Sequence, residues 1–183
     1  MRGSRNTRAS LLVFHLDAEK GRQMLQRVII AIDFSKCSAE ALAVARQHCH
    51  EATKLLLTVI KPSQVAAGAA GAFSAGTSPL NAKDMRQTAE NTALARLREW
   101  AREGEECAVG LGSAPEEISR HAGEWGADLI VIGTRGRSQL ANMMSGSATE
   151  WLIRHARVPV MVVHDVALSD SMREKLPPGT FVG

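Results

Sequence analysis

Ala127-Asp-Leu-Ile-Val-Ile-Gly133-Thr-Arg-Gly136-Arg-Ser-Gln-Leu-Ala-Asn-Met-Met-Ser-Gly146-Ser147 is the stretch from which the rest of the chain can be read. Ala127–Ile132 is a short apolar run rich in branched residues and reads as a buried strand. Ala148-Thr-Glu-Trp-Leu-Ile-Arg-His155 reads as the helix that follows. Strand, glycine turn and helix start together gather backbone N–H groups in the way that holds a phosphate. Gly133 lets the chain leave the strand without a Cβ clash, and Gly136 lets the backbone approach a ligand closely. Gly146 and Ser147 fall where the helix begins, with unpaired N–H groups and the positive end of the dipole facing outward. Arg135 and Arg137 add positive charge beside the turn. A plainer reading stands beside this one: Ser147 with Glu150 makes a capping box, which needs no ligand. The full spacing (glycine, two residues, glycine, nine residues, glycine-serine) is more demanding than a lone glycine pair and favours a phosphate site.

The 183 residues suit one domain with a full core and some tail. Hydrophobic residues make up 45% and charged residues 22%, an ordinary composition for a soluble domain. Lys and Arg number 22 against 19 Asp and Glu, a net charge of +3, and no aromatic-studded basic stretch points to nucleic acid. Cys37, Cys49 and Cys107 are an odd set without CxxC or Cys/His ligand spacing, as expected of free thiols in a reducing compartment. No apolar run has the length of a membrane span, and cytoplasm is the expected location.

Residues 1–25 read as an N-terminal extension, basic at first, with Leu11-Leu-Val-Phe14 too short for a secretory signal core. Arg27–Ile32 has the continuous apolar character of a central parallel strand. Asp33-Phe-Ser35 ends it, and a helix over Ala39–Cys49 follows, opened by Ser38. An acid at the carboxyl end of a first strand either faces the ligand crevice of an open sheet or caps the next turn. Leu55–Ile60 is the second strand, and the glycine- and alanine-rich residues 63–80 read as partly disordered, with a lid as the alternative. Asn81 to about Gly104 is a long helix with Met85, Thr88, Thr92, Leu94, Leu97 and Ala101 near one stripe. Glu106–Gly110 is a third strand, and Ser113-Ala-Pro-Glu116 opens a helix with a capping box that Gly126 stops. Val158–Val163 is a fifth strand, with Pro159 marking it as an edge. Residues 166–183 read as a loose tail. The alternation of strand and helix calls for a parallel sheet covered on both faces.

The pattern Gly133-x2-Gly136-x9-Gly146-Ser147, with these segments in order over residues 26–165, resembles the ATP-binding subgroup of the universal stress protein family. The resemblance implies an α/β, Rossmann-like open five-stranded parallel sheet of order 3-2-1-4-5. That order sets Asp33 and the glycine turn on opposite lips of one crevice. It implies phosphate contacts from Gly133, Gly136, Gly146, Ser147 and Ala148, with Thr149 adding another, and Arg135 and Arg137 close by. Ala31, Ile32, Val59 and Ile132 would hold adenine and ribose, with Asp33 toward the ribose or a metal. Thr58 stands where the family often has a histidine. The implied ligand is ATP accompanied by Mg2+, and the implied assembly is a homodimer through strand 158–164, with a further protein partner left open. The function implied is regulation in stress response, with slow hydrolysis at most, since no Walker lysine or clear general base is present. Two alternatives are a nucleotide-independent dimeric interaction module and an adenylating enzyme, whose Ser-Gly-Gly-x-Asp-Ser and His-x-Gly-His signatures are absent.

Overall fold

A computed structural model describes residues 25–63, 65, 82–133, 147–163 and 170–179. Five strands form one sheet in the order β3-β2-β1-β4-β5: β1 (Arg27–Ala31), β2 (Thr53–Ile60), β3 (Glu106–Leu111), β4 (Leu129–Gly133) and β5 (Val160–Val163). All four pairings are parallel, with Ile29 opposite both Leu55 and Ile130. The expected sheet and strand order are therefore what the chain adopts. The connections run through α1 (Lys36–His48), α2 (Ala82–Trp100), α3 (Ala114–Trp125) and α4 (Ser147–His155), and α5 (Asp170–Arg173) follows β5.

Alternation along the strands sorts the core into two layers, because successive side chains point to opposite faces. Val28, Ile30, Ile32, Leu56, Leu129 and Val131 pack with α1, with Leu97 and Trp100 of α2, and with Met172 of α5. Ile29, Ala31, Leu55, Leu57, Ile130 and Ile132 pack with Ile118 and Ala122 of α3 and Leu152 of α4. Central strands buried on both faces explain why β1 and β4 read as unbroken apolar runs rather than alternating ones.

Two expectations change. Thr88 and Thr92 do not belong to the buried stripe of α2. Both are exposed, and their hydroxyls donate to the carbonyls of Asp84 and Thr88 at 2.8 Å. The inward face instead runs to Leu97 and Trp100, the buried residues of the helix. Threonine fits an apolar spacing by position, yet its hydroxyl finds a partner one turn back in the helix itself. Within the tail expected to be loose, residues 170–179 pack on the domain: Met172 is buried and Leu176 lies against the α1–α2 layer.

At the amino end of the sheet, Asp128 does more than end a turn. Its Oδ2 accepts from the N–H groups of Gln26 and Arg27 at 2.8 and 2.9 Å, tying β1 to the start of β4. Pro159 precedes an edge strand, as expected, and its carbonyl accepts from Ile130 N–H at 2.9 Å.

Candidate functional site

The carboxyl ends of β1 and β4 lie side by side, where the strand order reverses direction from β1 toward β4. Ala31 and Ile32 end the first strand, and Ile32 N–H still donates to Leu57 O of β2 at 2.8 Å. Ile132 and Gly133 end the second. Val59 lies near the end of β2, half-buried and opposite Gly110 of β3. The sheet thus brings Ala31, Ile32, Asp33, Val59, Ile132 and Gly133 to one rim, although 102 positions separate the extremes in the sequence.

Asp33 is engaged locally. Its Oδ1 accepts from Ser35 N–H at 3.0 Å and from Ser35 Oγ at 2.6 Å. Ser35 in turn caps α1, its Oγ accepting from Ser38 N–H at 3.2 Å. The turn-capping alternative for Asp33 is therefore realised at Oδ1. Between them Phe34 holds φ of 62°, a left-handed conformation uncommon for an aromatic residue. Its ring meets Trp100 edge-on, with centroids 5.3 Å apart, and the Arg96 guanidinium lies 4.1 Å from its centroid. Aromatic packing and the cation–π contact hold a backbone bend that costs on the order of 1–3 kcal/mol.

Gly133 has a reason beyond turn geometry. A Cβ built there would fall 2.7 Å from the Cys37 carbonyl oxygen and 2.8 Å from its carbonyl carbon. The first turn of α1 is thus seated directly on the end of β4. The expected absence of room for a side chain holds, and the obstacle is α1, which the local sequence does not reveal.

On the far side of the glycine stretch, Ser147 begins α4, Ala148 is half-buried and Thr149 is buried. Thr149 Oγ1 donates to Gly133 O at 3.4 Å, a long bond that links the first turn of α4 to the end of β4. That hydroxyl thereby reaches a backbone carbonyl. Glu150 contributes negative charge in the first turn of α4, and its carboxylate accepts from Arg154 at 2.9 Å. Arg135, Gly136, Arg137 and Gly146 lie outside the described residues, as does most of the segment 63–80.

Among the described residues no three His, Cys, Asp or Glu side chains gather at metal-binding spacing. Asp33 is a carboxylate that the fold brings to this rim, just past the end of β1. Residues whose importance was not legible in the sequence are Phe34, Ser35 and Cys37. They precede or open a helix, and a serine followed by an amphipathic run is the one available sign.

The sequence model of the Universal stress protein family matches residues 24–164, and the chain belongs to that family. Stress response protein NhaX of Bacillus subtilis (strain 168) is 25% identical over 166 residues, spanning 82% of this chain and 99% of NhaX. The fold is also that of the solved structure of MJ0577. There the TM-score is 0.63 at 22% identity, covering 80% of this chain and 100% of the other. A universal stress protein solved in complex with cAMP superposes with a TM-score of 0.50 at 22% identity, covering 79% of this chain and 100% of that one. No helix among the described residues is long and apolar enough to cross a membrane.

Proposed function

We propose that this chain is a nucleotide-binding regulatory protein of stress response, taking ATP with Mg2+ at the rim between β1 and β4. The observation that carries the reading is the seating of Gly133. The end of β4 cannot bear a side chain, because the Cys37 carbonyl stands in its way, and the chain returns at Thr149 to Gly133's own carbonyl. Gly133 and Thr149, which flank positions 134–146 in the chain, are thus linked at the end of β4, and in this reading the start of α4 supplies N–H groups and a positive dipole end. Phosphates would be held by Gly133, Gly136, Gly146, Ser147 and Ala148, with Arg135 and Arg137 neutralising charge. Thr149 would act on them indirectly, by holding the start of α4. Adenine and ribose would lie over Ala31, Ile32, Val59 and Ile132. Asp33 would face the ribose or the ion. A relative solved with cAMP gives the family a precedent for a nucleotide ligand.

Hydrolysis is slow or absent in this reading, which the lack of a Walker lysine pattern in the sequence supports. Homodimerisation through strand 158–164 is part of the proposal. β5 is the sheet's edge, its Val160, Met161 and Val162 are only half-buried, and Ile153 of the adjoining α4 is exposed. A cytoplasmic location is part of the proposal, and the free thiols Cys37, Cys49 and Cys107 support it.

Calorimetric titration of the purified protein with ATP and Mg2+ tests the reading. Binding in the parent and its loss in Gly136→Asp are expected. Absence of heat with ATP, together with no nucleotide detected by mass analysis of the protein as purified, would overturn it.

A further inference from the structure

Away from the rim, at the opposite end of α1, the chain buries a guanidinium. Arg46 is 5% exposed and makes four hydrogen bonds. Two go to the Glu105 carboxylate, at 2.8 and 2.6 Å, and one to Trp100 O at 2.7 Å. The fourth, from Nη1, goes to Lys175 O in the C-terminal segment at 2.7 Å. Arg102 adds a parallel tie, its Nη2 donating to Glu174 O at 2.5 Å while its own N–H donates to Glu105 at 2.9 Å. One carboxylate therefore organises both arginines that hold residues 170–179. Met172 is buried in the α1–α2 layer and Leu176 rests on it, so the segment is fastened by polar and apolar contacts together.

The two ends of α1 are thus both constrained. Its last turn is held by Arg46, and its first turn is wedged against Gly133 with no space for even a methyl group. A helix of 13 residues, about 20 Å long, transmits a displacement of one end to the other because its backbone hydrogen bonds resist stretching. α1 cannot move toward β4, and its nine consecutive buried residues from Ser38 to Arg46 leave little freedom elsewhere.

We infer that residues 170–179 form a clasp that regulates the nucleotide rim through α1. With the clasp docked, α1 is seated on Gly133 and the rim is preorganised. With it released, Arg46 loses its bond to Lys175, α1 gains play, and the rim binds nucleotide more weakly. The inference rests on the nucleotide reading and adds a control to it. Thermodynamic reciprocity requires that nucleotide in turn keep the clasp docked by the same factor. The clasp is the next described segment after β5, with six positions between them in the chain.

The test uses the full chain. Trypsin cleavage at Arg173 and Lys175, followed by mass spectrometry, reads clasp opening, and calorimetry with ATP and Mg2+ reads the rim. Met172→Glu, which sets a charge in the apolar seat, is expected to speed cleavage and to weaken ATP binding by about five-fold or more. In the parent, saturating ATP is expected to slow cleavage at the two sites by a comparable factor. If Met172→Glu does not melt cooperatively, Arg102→Ala carries the comparison, since Arg102 is exposed and its loss empties no core. Faster cleavage with ATP affinity within about two-fold of the parent overturns the coupling, as does unchanged cleavage in both variants. ATP failing to bind the parent removes the nucleotide reading and the coupling with it; ATP binding parent and variants alike removes the coupling alone.

Discussion

Adding one methyl group at Gly133 and at Gly123 should move stability in opposite directions. At Gly133 the new Cβ would lie 2.7 Å from the Cys37 carbonyl oxygen and 2.8 Å from its carbon. A relaxed carbon–oxygen contact is about 3.3–3.6 Å, so β4 and the first turn of α1 would have to part by roughly 0.6–0.9 Å. Both obstructing atoms are backbone, and no rotamer change relieves the clash. Overpacking of this kind costs about 1–3 kcal/mol. At Gly123, exposed in α3, a Cβ would meet nothing within 4 Å. There alanine's better helix propensity should stabilise by about 0.5–1 kcal/mol. Urea unfolding monitored by circular dichroism separates the two. With m about 2 kcal/mol/M, the midpoint should fall by about 0.5–1.5 M in Gly133→Ala and rise by about 0.25–0.5 M in Gly123→Ala. A Gly133→Ala midpoint within about 0.2 M of the parent, at unchanged m, would refute the claim that α1 is seated on the end of β4.

Further outcomes follow from the hydrogen bonds. Ser35→Ala removes a hydroxyl that caps α1 and bonds Asp33, and should cost about 1–2 kcal/mol in thermal unfolding. Ser113→Ala should cost less than about 0.5 kcal/mol, because Ser113 precedes α3 without a side-chain cap bond, contrary to the capping box its sequence suggests. Glu105→Ala should cost about 3–5 kcal/mol at neutral pH by leaving Arg46 buried beside a void. Burial pushes the Glu105 carboxyl up, but the hydrogen bonds from Arg46 and from Arg102 N–H, with the charges of Arg46 and Lys54, outweigh it and hold the group below its ordinary 4.5. The stabilisation is thus present above pH 4.5 and is lost as pH falls below it, toward the lowered folded value. Acid titration of stability should accordingly be shallower in Glu105→Gln than in the parent, and identical slopes would contradict the assignment.

Much of the sheet was legible because its signals are local. Arg27–Ala31 and Leu129–Gly133 each carry enough branched apolar side chains to be buried on both faces, whatever surrounds them. The end of α3 was equally readable: Gly126, at φ of 69°, is the left-handed stop that only its own backbone requires. Strand order came from family resemblance and is matched by the structure, since alternation alone permits several orders. At the rim, the importance of Gly133 was visible as a glycine after a strand, whereas the bond from Thr149 to the Gly133 carbonyl was not, because a hydroxyl at a helix start reads the same whether it faces a phosphate or a backbone carbonyl.

By itself, the sequence determined the alternation of strands and helices, their burial and several of their ends, all properties of residues within one turn or one strand of each other. Only the tertiary structure decided what Gly133 must avoid, which acid ties β1 to β4, and where Arg46 spends its hydrogen bonds. Arg46 reaches Glu105 across 59 positions and Lys175 across 129, and Asp128 reaches Gln26 across 102. No periodicity records such pairings, because they exist only once the right-handed crossovers have laid distant segments side by side.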